Sequence, residues 1–473
     1  VYKRQALTIG LALAVGMLVQ AVSRHLRVPG IVLLLAAGVL LGPDGLGWVQ
    51  PDNLGDALQT LVGFAVAIIL FEGGLSLKIS ALRREGQTIR RLVSIGALIT
   101  GIGGALAARW IMEWDWVRAS LFGALVIVTG PTVINPLLKR IRVKRKLATV
   151  LEAEGVFIDA IGAIIAVVLL ELVVSPSSES LEVMGSGPAR LGLGLLLGLV
   201  GGSLIAILLR LEGAIPEGLE NVVTLTLVVA LYQISDALLA ESGIATVTVA
   251  GLVVGNIQTP AISELREFKE QLTVMFIGML FVLLAADVRI AEVRDLGWKG
   301  IATVAALRFI VRPIDILVCT WGADFNWREK VFLSWIAPRG IVAAAVASLF
   351  ALSLQQAGIP GGNELRAMVF LVIAITVLVS GLTGGLMAKL LGLQPAPASG
   401  FVLLGANPLA LSVAEVLRRL KQEVLLIDSN PVACRHAEED GFRVLYGSGL
   451  DERVLARAEL EYRAGAIGLT TND

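Results

Sequence analysis

The sequence predicts an all-α polytopic membrane protein of about thirteen transmembrane helices, followed by a partial α/β domain. Three observations carry this. Hydrophobic residues make up 56% of the 473 residues, charged residues only 16%, and mean hydropathy is +0.81. A soluble domain is nearer ~25% charged. Apolar runs of membrane-spanning length recur from the start to residue 393. Beyond residue 400 the texture changes to short apolar runs alternating with amphipathic ones.

Apolar content this high excludes disorder. Lys plus Arg equals Asp plus Glu, at 39 each, so charge gives no argument for a nucleic-acid partner. Cys319 and Cys434 are too few and too far apart for a disulfide framework or a zinc site. His25 and His436 make no metal cluster unaided. The chain does not begin with Met and ends on Asp473, which reads as a fragment. The first apolar run lacks a cleavage site and reads as a span rather than a signal.

A span needs ~20 apolar residues. Candidates lie near 6–23, 28–47, 57–77, 92–112, 118–138, 148–173, 190–210, 219–240, 243–258, 271–290, 297–320, 330–354 and 366–393. The exits of spans one, three and five are basic: Arg24 and Arg27; Lys78, Arg83, Arg84, Arg90 and Arg91; Lys139, Arg140, Arg142, Lys144, Arg145 and Lys146. The other early exits carry Asp44, Asp52, Asp56, Glu113 and Asp115 instead. Positive charge stays inside, so the N-terminus is expected outside and the C-terminus in the cytoplasm; a prokaryotic inner membrane is the expected location. Arg289, Arg294 and Lys299 run against this bias.

Residues 1–393 form the expected membrane domain, 394–400 a Pro-containing linker, and 401–473 the α/β domain. Phe401 to Leu404 reads as a buried strand, 408–420 as a helix, Glu423 to Ile427 as a second strand ending at Asp428, and Arg443 to Tyr446 as a third. Alternating strands and helices predict a parallel sheet.

Ionisable groups inside spans are functional candidates by default. Glu154 and Asp159 lie in span six, five residues apart and so about 140° apart around a helix. A carboxylate alone in a low-dielectric site favours its neutral form, which suits it to trade a proton for a cation. Span five contains Thr129-Gly130-Pro131, a break that frees backbone groups where a cavity is lined. A freed carbonyl and the Thr129 hydroxyl are oxygen ligands that suit sodium. Span twelve repeats the interruption in Pro338-Arg339-Gly340, seven spans later. Such pairs point to inverted repeats with a site at the midplane. Arg312 in span eleven needs a carboxylate partner, and Glu154 is the choice. Glu72, ending span three, is either a cation ligand or an interfacial charge. Asp236 and Asp287 lie near span ends and read as ordinary charges.

Over residues 20–393 these segments resemble the sodium/proton exchanger family, in its monovalent cation:proton antiporter-1 branch. The resemblance rests on Arg27-Val28-Pro29 through Gly42-Pro43, Leu70-Phe71-Glu72-Gly73-Gly74-Leu75, Glu154 followed by Asp159, Arg312-Pro313 and Arg339-Gly340. It implies two crossed, broken helices and alternating access in a homodimer. It places ion and proton binding on Asp159, pairs Glu154 with Arg312, and puts the broken-helix threonine at Thr129. Two departures stand out: Ile158 replaces the motif asparagine, and Gly130 replaces the fifth-span aspartate. A single essential carboxylate suits electroneutral exchange of Na⁺, Li⁺ or K⁺ for H⁺.

The C-terminal domain resembles the TrkA-N, regulator-of-potassium-conductance fold, a Rossmann-like domain. The resemblance implies NAD(H) or an adenine nucleotide as regulatory ligand, at Gly405, Asn407, Asp428 and Ser448. Asp428 stands where an acidic residue meets ribose. The glycine fingerprint is eroded, with Asn407 at its second position. A nucleotide-regulated K⁺/H⁺ antiporter is the nearest alternative. A potassium channel is disfavoured by the absence of a Thr-Val-Gly-Tyr-Gly filter. A membrane oxidoreductase lacks a redox cysteine pair. No enzymatic activity is expected.

Overall fold

The computed structural model describes residues 2–26, 30–141, 143–174, 180–211, 215–216, 219–257, 261–394, 400–458, 460 and 463–470. Arg27-Val28-Pro29, Arg142 and most of the expected linker lie outside them. The chain divides into two compact units, Val1–Leu393 and Gln394–Asp473.

In the first unit the helices are α1 (Tyr2–Leu26), α2 (Gly30–Leu41), α3 (Asp56–Ser76), α4 (Ile79–Arg84), α5 (Gly86–Arg91), α6 (Ala97–Ile111), α7 (Trp116–Ile127), α8 (Pro131–Ile141), α9 (Arg145–Val174) and α10 (Ser180–Arg210). They continue as α11 (Glu220–Leu238), α12 (Ser242–Gly255), α13 (Ala261–Asp287), α14 (Ile290–Asp295), α15 (Gly297–Ala306), α16 (Arg312–Cys319), α17 (Trp327–Trp335), α18 (Ile341–Gln356) and α19 (Gly362–Leu390). Each expected span has helix at its place. Among the described residues, six helices are long and apolar enough to cross a bilayer unaided, and α9 is the most apolar. Among the rest, α2 is short because Pro43 disfavours helix at Gly42, and the chain turns there.

Expected spans five and twelve are each two helices. α7 ends at Ile127 and α8 starts at Pro131, the helix position where a missing N–H costs nothing. α17 ends at Trp335, and α18 starts after an extended Gly340. Spans four and eleven share another irregularity. Each is continuous but contains one π turn, at Leu92–Gly96 and Leu307–Val311. Pairs of matched irregularities seven spans apart fit two repeats of one design.

α9 is buried along most of its length, including Glu154 and Asp159. It packs with α7, α8, α12 and α18. A large apolar cluster joins Phe71, Phe122, Val128, Ala163, Leu283 and Phe350. A second gathers Ile134, Leu151, Ile316, Phe332 and Ile336 around the other half of α9. The long helix thus forms the axis against which both broken helices are held.

The second unit holds β1 (Phe401–Leu404), α20 (Pro408–Arg419), β2 (Val424–Asp428), α21 (Pro431–Glu439), β3 (Arg443–Tyr446), α22 (Glu452–Arg457) and β4 (Gly465–Gly468). Its sheet is parallel with order β3-β2-β1-β4. Register runs Phe401 to Val424 and Phe401 to Gly465. Apolar clusters cover both faces, one around Leu403 and Leu426, the other around Val402 and Ile427. Both faces of a parallel sheet need such cover.

Candidate functional site

The two breaks cross each other. A Cβ on Gly340 would lie 2.3 Å from the Gly130 Cα and 2.7 Å from its nitrogen. Only a residue without a side chain permits that approach. α9 passes the same place. A Cβ on Gly155 would meet the Pro131 backbone at 3.3 Å, and one on Gly162 would meet Val128 at 2.8 Å. Asp159 stands four residues after the first and three before the second. All three share one helix face, so Asp159 faces the break at 128–131.

Asp159 is fully buried, and neither carboxyl oxygen has a hydrogen-bond partner among the described residues. The Thr129 hydroxyl is 2% exposed and also lacks one. Buried polar groups are nearly always hydrogen-bonded, and exceptions call for an explanation. Here they are oxygen atoms of a carboxylate and a hydroxyl gathered at a helix break, a donor set suited to a hard monovalent cation or a proton.

Glu154 faces elsewhere, as its five-residue offset requires. Both its oxygens are bound by the Arg312 guanidinium, Nη2 donating to Oε2 at 2.8 Å and Nη1 to Oε1. Arg312 Nη1 also donates to Asp315 Oδ2 at 2.9 Å, and Nη2 to the Leu333 carbonyl. All three charged side chains are at most 5% exposed. The sequence reading did not single out Asp315. Its signal is a carboxylate one helical turn after the buried arginine.

Two further arginines cap the broken helices. Arg339 Nη1 donates to the Ile127 carbonyl at 3.2 Å, at the end of α7. Arg308 Nη2 donates to the Trp335 carbonyl at 2.9 Å, at the end of α17, and stacks on the Trp335 ring. A positive charge at a helix C-terminus is favourable. The sequence reading placed Arg339 in the break and missed Arg308. Glu72 is half-buried on α3, beside Gly73, whose Cα faces Val156 and Pro131. Asp287 pairs with Arg366 at 3.2 Å.

A scan against family models matches the description "Sodium/hydrogen exchanger, transmembrane" over residues 10–390. The chain belongs to the sodium/hydrogen exchanger family. Residues 401–473 match the TrkA-N domain. The chain is 28% identical over 389 residues to a K(+)/H(+) antiporter NhaP2 of Shewanella oneidensis, covering 81% of this chain and 66% of that protein. It therefore spans just under two thirds of that relative's length. It is 27% identical over 353 residues to Na(+)/H(+) antiporter 1 of Methanocaldococcus jannaschii, covering 72% and 81%. Its fold matches the structure of the sodium proton antiporter MjNhaP1 from that organism at pH 8. The TM-score is 0.72, at 24% identity over 81% of this chain and 98% of that one. The protein is thus a membrane-embedded member of a transporter family, with a Rossmann-like TrkA-N domain attached.

In the TrkA-N unit the β1–α20 turn is internally satisfied. Asp428 Oδ2 accepts from the Ala406 N–H at 2.6 Å and Oδ1 from the Asn430 N–H at 2.8 Å. Asn407 caps α20 by accepting from Ala410 N–H at 2.9 Å, and its amide donates to the Leu469 carbonyl at 2.5 Å. Pro408 has no N–H. Gly405 keeps the left-handed turn, at φ +113°. Ser448 Oγ accepts from the Leu450 N–H. A dinucleotide pyrophosphate needs N–H groups of this turn and close backbone approach. The donors at Ala406 and Ala410 are taken, and the Asn407 side chain stands at the approach. The residues present do not fit that group in this arrangement.

Proposed function

We propose that the protein is a secondary transporter exchanging a monovalent cation, Na⁺, Li⁺ or K⁺, for H⁺ by alternating access at Asp159. The observation that carries this is the fully buried Asp159 carboxyl, without a hydrogen-bond partner among the described residues, facing the break that holds Thr129. A proton or a cation satisfies that carboxylate in turn. One titrating carboxylate favours one-for-one, electroneutral exchange. Glu154 and Arg312 hold each other and serve assembly, while Gly130, Pro131, Arg339 and Gly340 shape the breaks. The charge bias of the loops supports an outside N-terminus and a cytoplasmic TrkA-N unit, and the prokaryotic relatives favour a prokaryotic inner membrane. A homodimer is part of the same family-based reading.

The relatives named as K(+)/H(+) antiporters favour potassium as a second choice of cation. Their names do not favour a nucleotide, and the closed β1–α20 turn argues for a scaffolding TrkA-N unit.

The test is purified protein in liposomes with an imposed pH gradient, challenged with Na⁺, Li⁺, K⁺ or choline. Collapse by one of the metal cations, lost in Asp159→Asn, is expected. Unchanged collapse in that variant sinks the assignment of Asp159.

A further inference from the structure

We propose that Asp315 is a positioning residue of the exchange site: it is the second carboxylate that lets two arginines be buried beside the broken helices. The proposal rests on the transport reading above. Arg312 and Arg339 are 4% and 6% exposed. Arg339 lies within electrostatic reach of Arg312, Glu154 and Asp315, and its guanidinium donates to a carbonyl of α7. Glu154 alone leaves this group with one positive charge in excess. Asp315 makes it two against two. An unbalanced charge at such depth is costly, and a positive one repels the cation that must enter nearby.

Three residues, two of them on its own helix, converge to hold that carboxylate. Arg312 Nη1 donates to Oδ2 at 2.9 Å. The Cys319 thiol donates to Oδ1 at 3.3 Å. Gly96 supplies the space: a Cβ there would lie 2.4 Å from Oδ1. Gly96 ends the π turn of span four, and Arg312 directly follows the π turn of span eleven. π turns inside helices frequently mark functional sites. Both here adjoin the Asp315 contact. The groups facing Asp315 are therefore Arg312 and Cys319 on its own helix, Glu154 from α9 and Arg339 from the second break. Asp159 belongs to the other side of α9.

The experiment compares wild type, Asp315→Asn, Arg339→Gln and the double variant, all as full chains. Two readouts are taken: thermal stability in detergent without added cation, and half-saturating cation concentration in liposomes. Asn keeps the shape of Asp and removes the charge. Asp315→Asn is expected to raise half-saturation about tenfold and to lower Tm. Arg339→Gln in that background removes the excess positive charge, so both readouts should move back toward wild type. If Asp315→Asn does not fold, recovery of folding in the double variant supports the proposal. Wild-type behaviour of Asp315→Asn, or a double variant no better than it, overturns it. Absence of exchange in wild type would sink the transport reading instead, and the stability comparison would still decide charge balance.

Discussion

Gly340 crosses Gly130 at a distance that leaves no room for a methyl group, 2.3 Å from a built Cβ to the facing Cα. The contact is backbone against backbone. No rotamer change relieves it, unlike an overpacked side chain. Gly340 has φ −103°, which any residue adopts, so the requirement is for space and not for conformation. Gly340→Ala is expected to push the breaks apart, lower Tm and reduce exchange at least tenfold. Cation-driven collapse of a pH gradient at the wild-type rate would show that the crossing is looser than drawn.

Glu154→Gln leaves Arg312 with Asp315 and the Leu333 carbonyl as partners. The loss is therefore less than for an arginine left wholly alone, which runs to about 3–5 kcal/mol. A Tm decrease with partial retention of folded protein is expected on size exclusion. Glu154→Gln combined with Asp315→Asn strips both carboxylates, and that pair should not assemble. A folded, fully active double variant would refute the pairing.

How much of this was legible in the chain follows from what each feature depends on. The helical segments and both breaks are local. Gly130-Pro131 and Pro338-Arg339-Gly340 interrupt apolar runs in plain view, and the charges at 154, 159 and 312 stand out against them. Pairing Glu154 with Arg312 needed only the rule that a buried arginine finds a carboxylate. Asp315 was not singled out, because its burial depends on Gly96 from another span. Arg308 was missed for a similar reason: its acceptor is the end of α17, known only once the helices are packed. The π turns leave no mark in hydrophobic periodicity. In the TrkA-N unit, Asn407 was visible as a departure, but the bonds that close the turn around it were not.

Asn407 joins α20 to Leu469 beyond the end of β4, at once a helix cap and a cross-link. Replacing an Asn cap by Ala costs ~1 kcal/mol, and the second bond adds to that. Asn407→Ala should speed hydrogen exchange of the α20 amides in the full chain. Asn407→Gly keeps most of the cap propensity and clears the approach to the turn. It should bind an adenine dinucleotide more tightly than wild type in calorimetry. Equal binding by both would mean that the side chain does not stand in the way.

Glu241 lies in the turn between α11 and α12, with a left-handed backbone at φ +66°. Its N–H donates to Asp236 Oδ1 at 2.6 Å. Burial, and next the Asp236 charge, push its carboxyl from the ordinary 4.5 up to about 7, with Arg190 opposing and Glu171 adding. The folded protein therefore holds this proton more tightly than the unfolded chain. Between pH 4.5 and about 7 stability falls as pH rises. Above about 7 the full penalty of an ionised, half-buried Glu241 is present, and below 4.5 there is none. Glu241→Gln removes the charge at every pH. It is expected to stabilise the protein at pH 8 by an amount on the order of 1–3 kcal/mol and to leave it unchanged near pH 4. Thermal melts at the two pH values check this. An equal gain at both would assign the effect to the amide's hydrogen bonding, and no gain at pH 8 would mean that Arg190 already neutralises the site.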